Sequence, residues 1–175
     1  MTFCPAPGTV IYRRRSDTGQ QIAPLHYQRS EPGRPCVVSF GGNHGFLDVL
    51  GLRSLSQEHA ARIGAAMSQL FPLDVGKRSS VLLAGEGNRS GNSAWLFQFE
   101  VLRRERVSVP AGSYDAFVVK LTESGISDNM ALVERAAWIV PDSFHPVRVT
   151  HRLTRGLDAG NVDWEATRIV RGGAL

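Results

Sequence analysis

Trp95-Leu96-Phe97-Gln98-Phe99-Glu100-Val101 decides the fold. Its large apolar side chains recur at every second residue, with Gln98 and Glu100 between them. That period of two is the mark of a strand with one face buried and one face wet. The same alternation returns downstream in Phe117, Val119 and Leu121, and in Val147-Arg148-Val149-Thr150-His151-Arg152-Leu153. Trp164 and Ala166 close the series. Upstream, Thr9-Val10-Ile11-Tyr12 is β-branched and aromatic, and Ser16-Asp17-Thr18-Gly19 supplies a turn before a strand over 21–29. Cys36-Val37-Val38-Ser39-Phe40 follows the breaker Glu31-Pro32-Gly33-Arg34-Pro35. The intervals between these runs are too short for helical crossovers, so neighbouring strands are antiparallel. The expectation is a mainly β protein, with eight to nine strands in a strongly curved antiparallel sheet or partly closed barrel.

One helix interrupts the pattern, over about 54–70. Ile63, Ala66, Met67 and Leu70 follow three-and-four spacing, Ser54 or Ser56 can cap the start, and Pro72 stops the run. A hairpin-rich β region extends over 74–171. The 175 residues form a single expected domain, since a chain of that size buries roughly 70% of its extended surface. Neither a composition shift nor an internal repeat divides it.

Composition excludes several classes. With 42% hydrophobic and 21% charged residues the chain is neither disordered nor fibrous. No apolar run approaches the roughly 20 residues of a membrane-spanning helix. Met1 to Gly8 has no basic and apolar leader, so it reads as a cytosolic start or as a mature domain freed of its export signal. The net charge of +4 is carried by arginine dispersed along the sequence, without the interleaved aromatics of a nucleic-acid-binding sheet. Nucleic acid is therefore not an expected partner. Cys4 and Cys36 allow one disulfide or two free thiols. Metal-ligand spacing and cofactor motifs are absent. Gly85 to Gly91 lacks the lysine and the following helix of a phosphate loop and reads as a hairpin turn.

The second half carries a recognisable order of motifs. Phe71-Pro72-Leu73-Asp74-Val75-Gly76-Lys77 is followed by Val107-Ser108-Val109-Pro110-Ala111-Gly112-Ser113-Tyr114-Asp115-Ala116. Ala137-Trp138-Ile139-Val140-Pro141 and His145-Pro146-Val147-Arg148 come next. Over about 71–170 this order resembles the DUF3108-like bacterial envelope proteins, a group of uncharacterised function. The resemblance implies antiparallel β structure and a periplasmic or envelope location, often as a lipoprotein, and it carries over no catalytic residue. It also implies a second reading of Cys4, as a lipid-bearing cysteine that anchors the chain. An acylated Cys4 could not bridge Cys36. The cytoplasmic reading is the alternative.

The side chains able to carry function are few. Trp95, Phe97, Phe99, Trp138 and Trp164 either pack a core or line a cavity for an apolar or amphipathic ligand. His151 falls on the apolar phase of its strand, where it is a core histidine or a polar group inside such a cavity. His44, in Gly41-Gly42-Asn43-His44-Gly45, is a loop residue whose glycines let a ligand approach. Asp158, Asp163 and Glu165 read as a solvated face. The leading expectation is a non-enzymatic envelope protein that binds an apolar or amphipathic molecule or another envelope protein. The alternatives are a hydrolase with a site near His44 and a purely structural module.

Overall fold

The structure, a computed structural model, describes residues 3–84, 94–126, 132–155 and 162–173. Among the described residues eleven strands, rather than eight to nine, form one sheet. They are β1 (Val10–Arg15), β2 (Gln21–Tyr27), β3 (Cys36–Ser39), β4 (Phe46–Val49), β5 (Arg53–Leu55), β6 (Arg78–Ala84), β7 (Ala94–Val109), β8 (Gly112–Gly125), β9 (Leu132–Ile139), β10 (Pro146–Arg155) and β11 (Trp164–Val170). The spatial order is β5-β4-β3-β2-β1-β11-β10-β9-β8-β7-β6, with every described pairing antiparallel. The undercount has a physical origin. β4 and β5 span only four and three residues, too few to repeat an alternation.

The alternation itself is realised. Phe97, Phe99 and Val101 are buried in β7, and Val147 and Val149 in β10. A bulge after Val101 leaves Leu102 without a partner and changes the phase across the hairpin. In β8, Ala116 and Val118 point inward before the bulge position, and Val119, Leu121 and Glu123 after it. Phe117 therefore leaves the buried row and lies half-buried under the guanidinium of Arg104, 5.6 Å away. The loop at 85–91, Asp158 and the side chain of Leu153 lie outside the described residues.

The helix, α1 (Ala60–Leu70), is shorter than expected, because Arg53–Leu55 joins the sheet and Gln57–His59 makes a 3₁₀ turn. Ser56 stands at the start of that turn without a side-chain cap. Ile63, Met67 and Leu70 are fully buried, and α1 packs on β6. Arg62 Nη1 donates to the Leu82 carbonyl at 3.0 Å, which occupies part of the open edge of β6.

The sheet curls into a half-barrel, and individual contacts show how far. Arg53 on β5 reaches Glu123 on β8, eight places along the sheet, at 3.0 Å. The β4–β5 turn docks against β10 and β11. Gly51 there has φ +72, and a Cβ on it would meet Pro146 at 2.6 Å, so only glycine fits. Cys4 and Cys36 form a disulfide, with Cα atoms 5.4 Å apart, that ties the N-terminal segment to β3. Both sulfurs are used in the bridge, which is the disulfide reading of the two cysteines.

Candidate functional site

The concave face of the half-barrel holds a cleft of about 440 Å³. β1 and β2 contribute Arg13, Ile22 and Leu25, the β4–β5 hairpin Asp48, Leu52 and Arg53, and β9 to β11 Arg135, Val149, His151 and Trp164, with Phe40 at the margin. The walls are largely apolar, and the polar groups among them are Arg13, Asp48, Arg53, Ser54, Arg135 and His151.

Arg13 follows Ile11 onto the inner phase of β1 and is 9% exposed. Its Nε and Nη2 donate to the Ala23 carbonyl at 3.0 and 2.6 Å. The guanidinium lies 5.0 Å from the Trp164 ring and 5.8 Å from that of Phe40, a cation–π arrangement. Burial lowers its pKa to about 10, opposed by the nearby Asp48 and Tyr27, so it remains a cation.

Asp48 is fully buried beside it. The Tyr27 hydroxyl donates to Oδ2 at 3.0 Å, and the Gly51 N–H donates to both oxygens at 3.0 and 3.1 Å. Desolvation raises the carboxyl to about 6, against the opposing effect of these donors and Arg13. The carboxylate pushes the Tyr27 hydroxyl well above its ordinary range, in addition to the larger effect of burial.

A second charged cluster lies behind the hairpin. Glu123, 1% exposed, accepts from Arg53 Nη1 at 3.0 Å and from Arg135 Nε at 3.2 Å. Arg53 also lies 5.9 Å from the Phe97 ring. On the opposite wall, Asp163 Oδ1 accepts from the His151 backbone N–H at 2.8 Å and sits 2.6 Å from its Nδ1. That contact fixes the ring at the cleft edge.

The aromatic residues expected to share one cavity are dispersed. Trp164 and His151 line the cleft, whereas Phe97 and Phe99 are closed within the core. Trp95 is half-buried on β7, and its indole N–H makes no hydrogen bond among the described residues. Trp138 donates to Glu105 Oε1 at 2.6 Å and stacks with Arg148. His44 is exposed, and its ring meets Phe46 edge-on at 5.5 Å. Among the described residues it makes no hydrogen bond to a serine, aspartate or cysteine, which nucleophilic chemistry there would need. Asp163 and Glu165 are engaged rather than merely solvated, Glu165 accepting from Arg14 at 2.7 Å.

Neither a family model nor a curated protein matches the chain. Solved structures do. A candidate lipoprotein of Parabacteroides distasonis aligns with a TM-score of 0.51 at 15% identity, over 96% of this chain and 98% of that one. The hypothetical lipoprotein YmcC of Escherichia coli aligns at 0.53 and 11% identity, over 98% of this chain and 89% of that one. The likeness is one of fold. It runs through the whole half-barrel, and the arginines, Asp48 and Glu123 are assigned from this chain's own geometry.

Sequence reading did not single out these charged residues. A signal was present, because Arg135 stands on the same phase as Val133, Ala137 and Ile139, where a charge must find a buried partner.

Proposed function

We propose that the protein is a non-enzymatic component of the bacterial envelope whose half-barrel cleft binds an amphipathic small molecule. The observation that carries this reading is the pairing, in one cleft, of the Trp164 and Phe40 rings with the buried Arg13 cation. Ligand sites are concave and mostly apolar, with a few convergent polar groups, and this cleft has that composition at a suitable size. A purely apolar ligand fits it less well, since it would leave the guanidinium groups desolvated without a new partner.

Three points support the envelope. Disulfides such as Cys4–Cys36 persist in oxidising compartments. The fold is shared with proteins described as lipoproteins. The motif order over 71–170 resembles that of the DUF3108-like envelope proteins.

Native and denaturing mass spectrometry of the protein isolated from its own envelope tests the proposal. A non-covalent mass released on denaturation is the expected result. A bare polypeptide mass in both conditions would count against a small ligand and favour a protein partner.

A further inference from the structure

We infer that Arg13 is the recognition residue of the cleft, and that its Nη1 receives the acyl oxygen of a ligand with a hydrocarbon chain and a carboxylate or ester end. This inference rests on the ligand-binding reading above and adds the headgroup class and the donor that recognises it.

An arginine turned onto the inner phase of a strand has five N–H groups to place. The Ala23 carbonyl takes one edge of the Arg13 guanidinium, accepting from Nε and Nη2. Asp48 acts on Arg13 through its charge, but its oxygens accept from the Tyr27 hydroxyl and the Gly51 N–H. Among the described residues neither a carboxylate nor a carbonyl accepts from Nη1.

That nitrogen is also open. The side-chain nitrogens that are both sealed from solvent and unpartnered belong to other residues, Arg53 Nε among them, and Arg13 Nη1 is not one of these. Arg13 lines the cleft and keeps 9% of its surface exposed. Two N–H groups of a cation held in place by Ala23 therefore meet the cleft space with no acceptor supplied by the described residues. Fixed donors converging on a concave, largely apolar space are what orient a ligand. The other two arginines of the cleft are committed elsewhere, since Arg53 and Arg135 both contact Glu123.

The surroundings of Arg13 narrow the headgroup. Its guanidinium lies over the Trp164 ring at 5.0 Å and over the Phe40 ring at 5.8 Å. An acceptor in the guanidinium plane lies beside those rings, a place that suits a planar acyl group better than the tetrahedral oxygens of a phosphate. Carboxylate and ester share the acyl oxygen and can accept from Nη1, more strongly than from a neutral donor because the donor is charged. A cationic head has no acceptor and meets the charge of Arg13. The open apolar surface next to Arg13 is the ring of Phe40, 38% exposed, and the half-buried side chain of Ile22. A hydrocarbon chain leaving the acyl group covers that surface towards the cleft margin.

The test is titration of the intact protein at pH 7.5 with four amphiphiles of one chain length, each below micelle formation, following tryptophan emission. Decanoate and methyl decanoate are expected to bind at least tenfold more tightly than decyltrimethylammonium, with decyl phosphate between them. Arg13→Met, which keeps an apolar stem and removes every donor, is expected to abolish the tenfold preference. Arg13→Lys, which keeps the cation but has no Nη1, is expected to lose most of it. A measurement on the unsubstituted protein keeps the test decisive if both variants fail to fold. The infrared carbonyl band of bound methyl decanoate, labelled with carbon-13, is expected below its position in an apolar solvent. Equal affinity for all four amphiphiles would overturn this inference while leaving the cleft reading intact. No binding of any would overturn both. Decyl phosphate binding more tightly than decanoate would overturn the acyl headgroup. A carbonyl band at its apolar-solvent position, or a preference that survives in folded Arg13 variants, would overturn the assignment to Arg13.

Discussion

Glu123 holds two cations at once, with 1% of its surface exposed. Because Arg53 comes from the last strand at one edge of the sheet and Arg135 from β9, this carboxylate joins the β4–β5 hairpin to the opposite wall. Glu123→Gln removes the buried carboxylate that both the Arg53 and Arg135 guanidinium groups contact, and losing one member of a buried ionic group costs about 3–5 kcal/mol. Urea denaturation should show that loss as a lower midpoint, and a change below about 1 kcal/mol would mean the carboxylate is dispensable to the curl. The position was partly legible in the sequence. Glu123 stands two residues beyond Leu121 on the buried phase, as Arg135 stands two beyond Val133, and charges on a buried phase demand each other. Their pairing across β8 and β9 was not legible, because alternation fixes which face a residue takes but not its register against a neighbouring strand. Trp164 and His151 were placed on the inward phase from sequence and do line the cleft. Trp138 and Phe99 shared that signal and went elsewhere, since an inward phase on a curled sheet leads to a closed core as readily as to an open cleft.

At the scale of elements, the long strands announced themselves because β7, β8 and β10 are each ten residues or more. The short hairpin of β4 and β5 did not, although it builds one wall of the cleft. It is recognisable only through the contacts of Gly51 and Asp48, which are tertiary. The N-terminal segment poses a comparable question of anchoring. The Cys4–Cys36 bridge closes a loop with a sequence separation of 32, and Phe3 stacks on Phe71 at 5.0 Å behind it. In the loop-closure account such a bridge contributes roughly 3–4 kcal/mol. The double substitution Cys4→Ser with Cys36→Ser should therefore lower the unfolding free energy by that order. Reductant should lower the Tm of the native protein and leave the double variant unchanged. Equal melting of both forms, with and without reductant, would show that the segment is held without the bridge, by the Phe3–Phe71 contact and the Gly8–Tyr27 backbone hydrogen bond.

For the molecule as a whole, two buried groups on different elements act against each other as pH changes. Asp48, facing Tyr27, Arg13 and the Gly51 N–H, titrates at about 6 when folded, against an ordinary 3.8, chiefly because burial disfavours its charged form. Between those values the folded state holds a proton that the unfolded chain has released. Stability from this group is therefore complete below 3.8 and is lost as pH rises through 6, by about 3 kcal/mol in all. His145 is 2% exposed, with Ser143 on Nδ1 at 2.6 Å, the Tyr114 ring edge-on and Arg171 adding repulsion. Burial, first of all, lowers it to about 4 from 6.5. Here the unfolded chain takes up the extra proton, so stability is present above 6.5 and is lost as pH falls towards 4, by a similar amount. Across pH 4–6 the two slopes oppose each other, and the native protein should show a nearly level unfolding free energy. Asp48→Asn should expose the histidine slope, with stability rising from pH 4 to 6.5. His145→Gln should expose the carboxylate slope, with stability falling over pH 4–6. Urea midpoints of the three proteins at half-unit pH intervals check this. Parallel profiles for all three would mean that neither group is coupled to folding as its burial requires, whereas profiles diverging in opposite directions would establish that the level response of the native protein is a balance between the cleft and the β9–β10 turn.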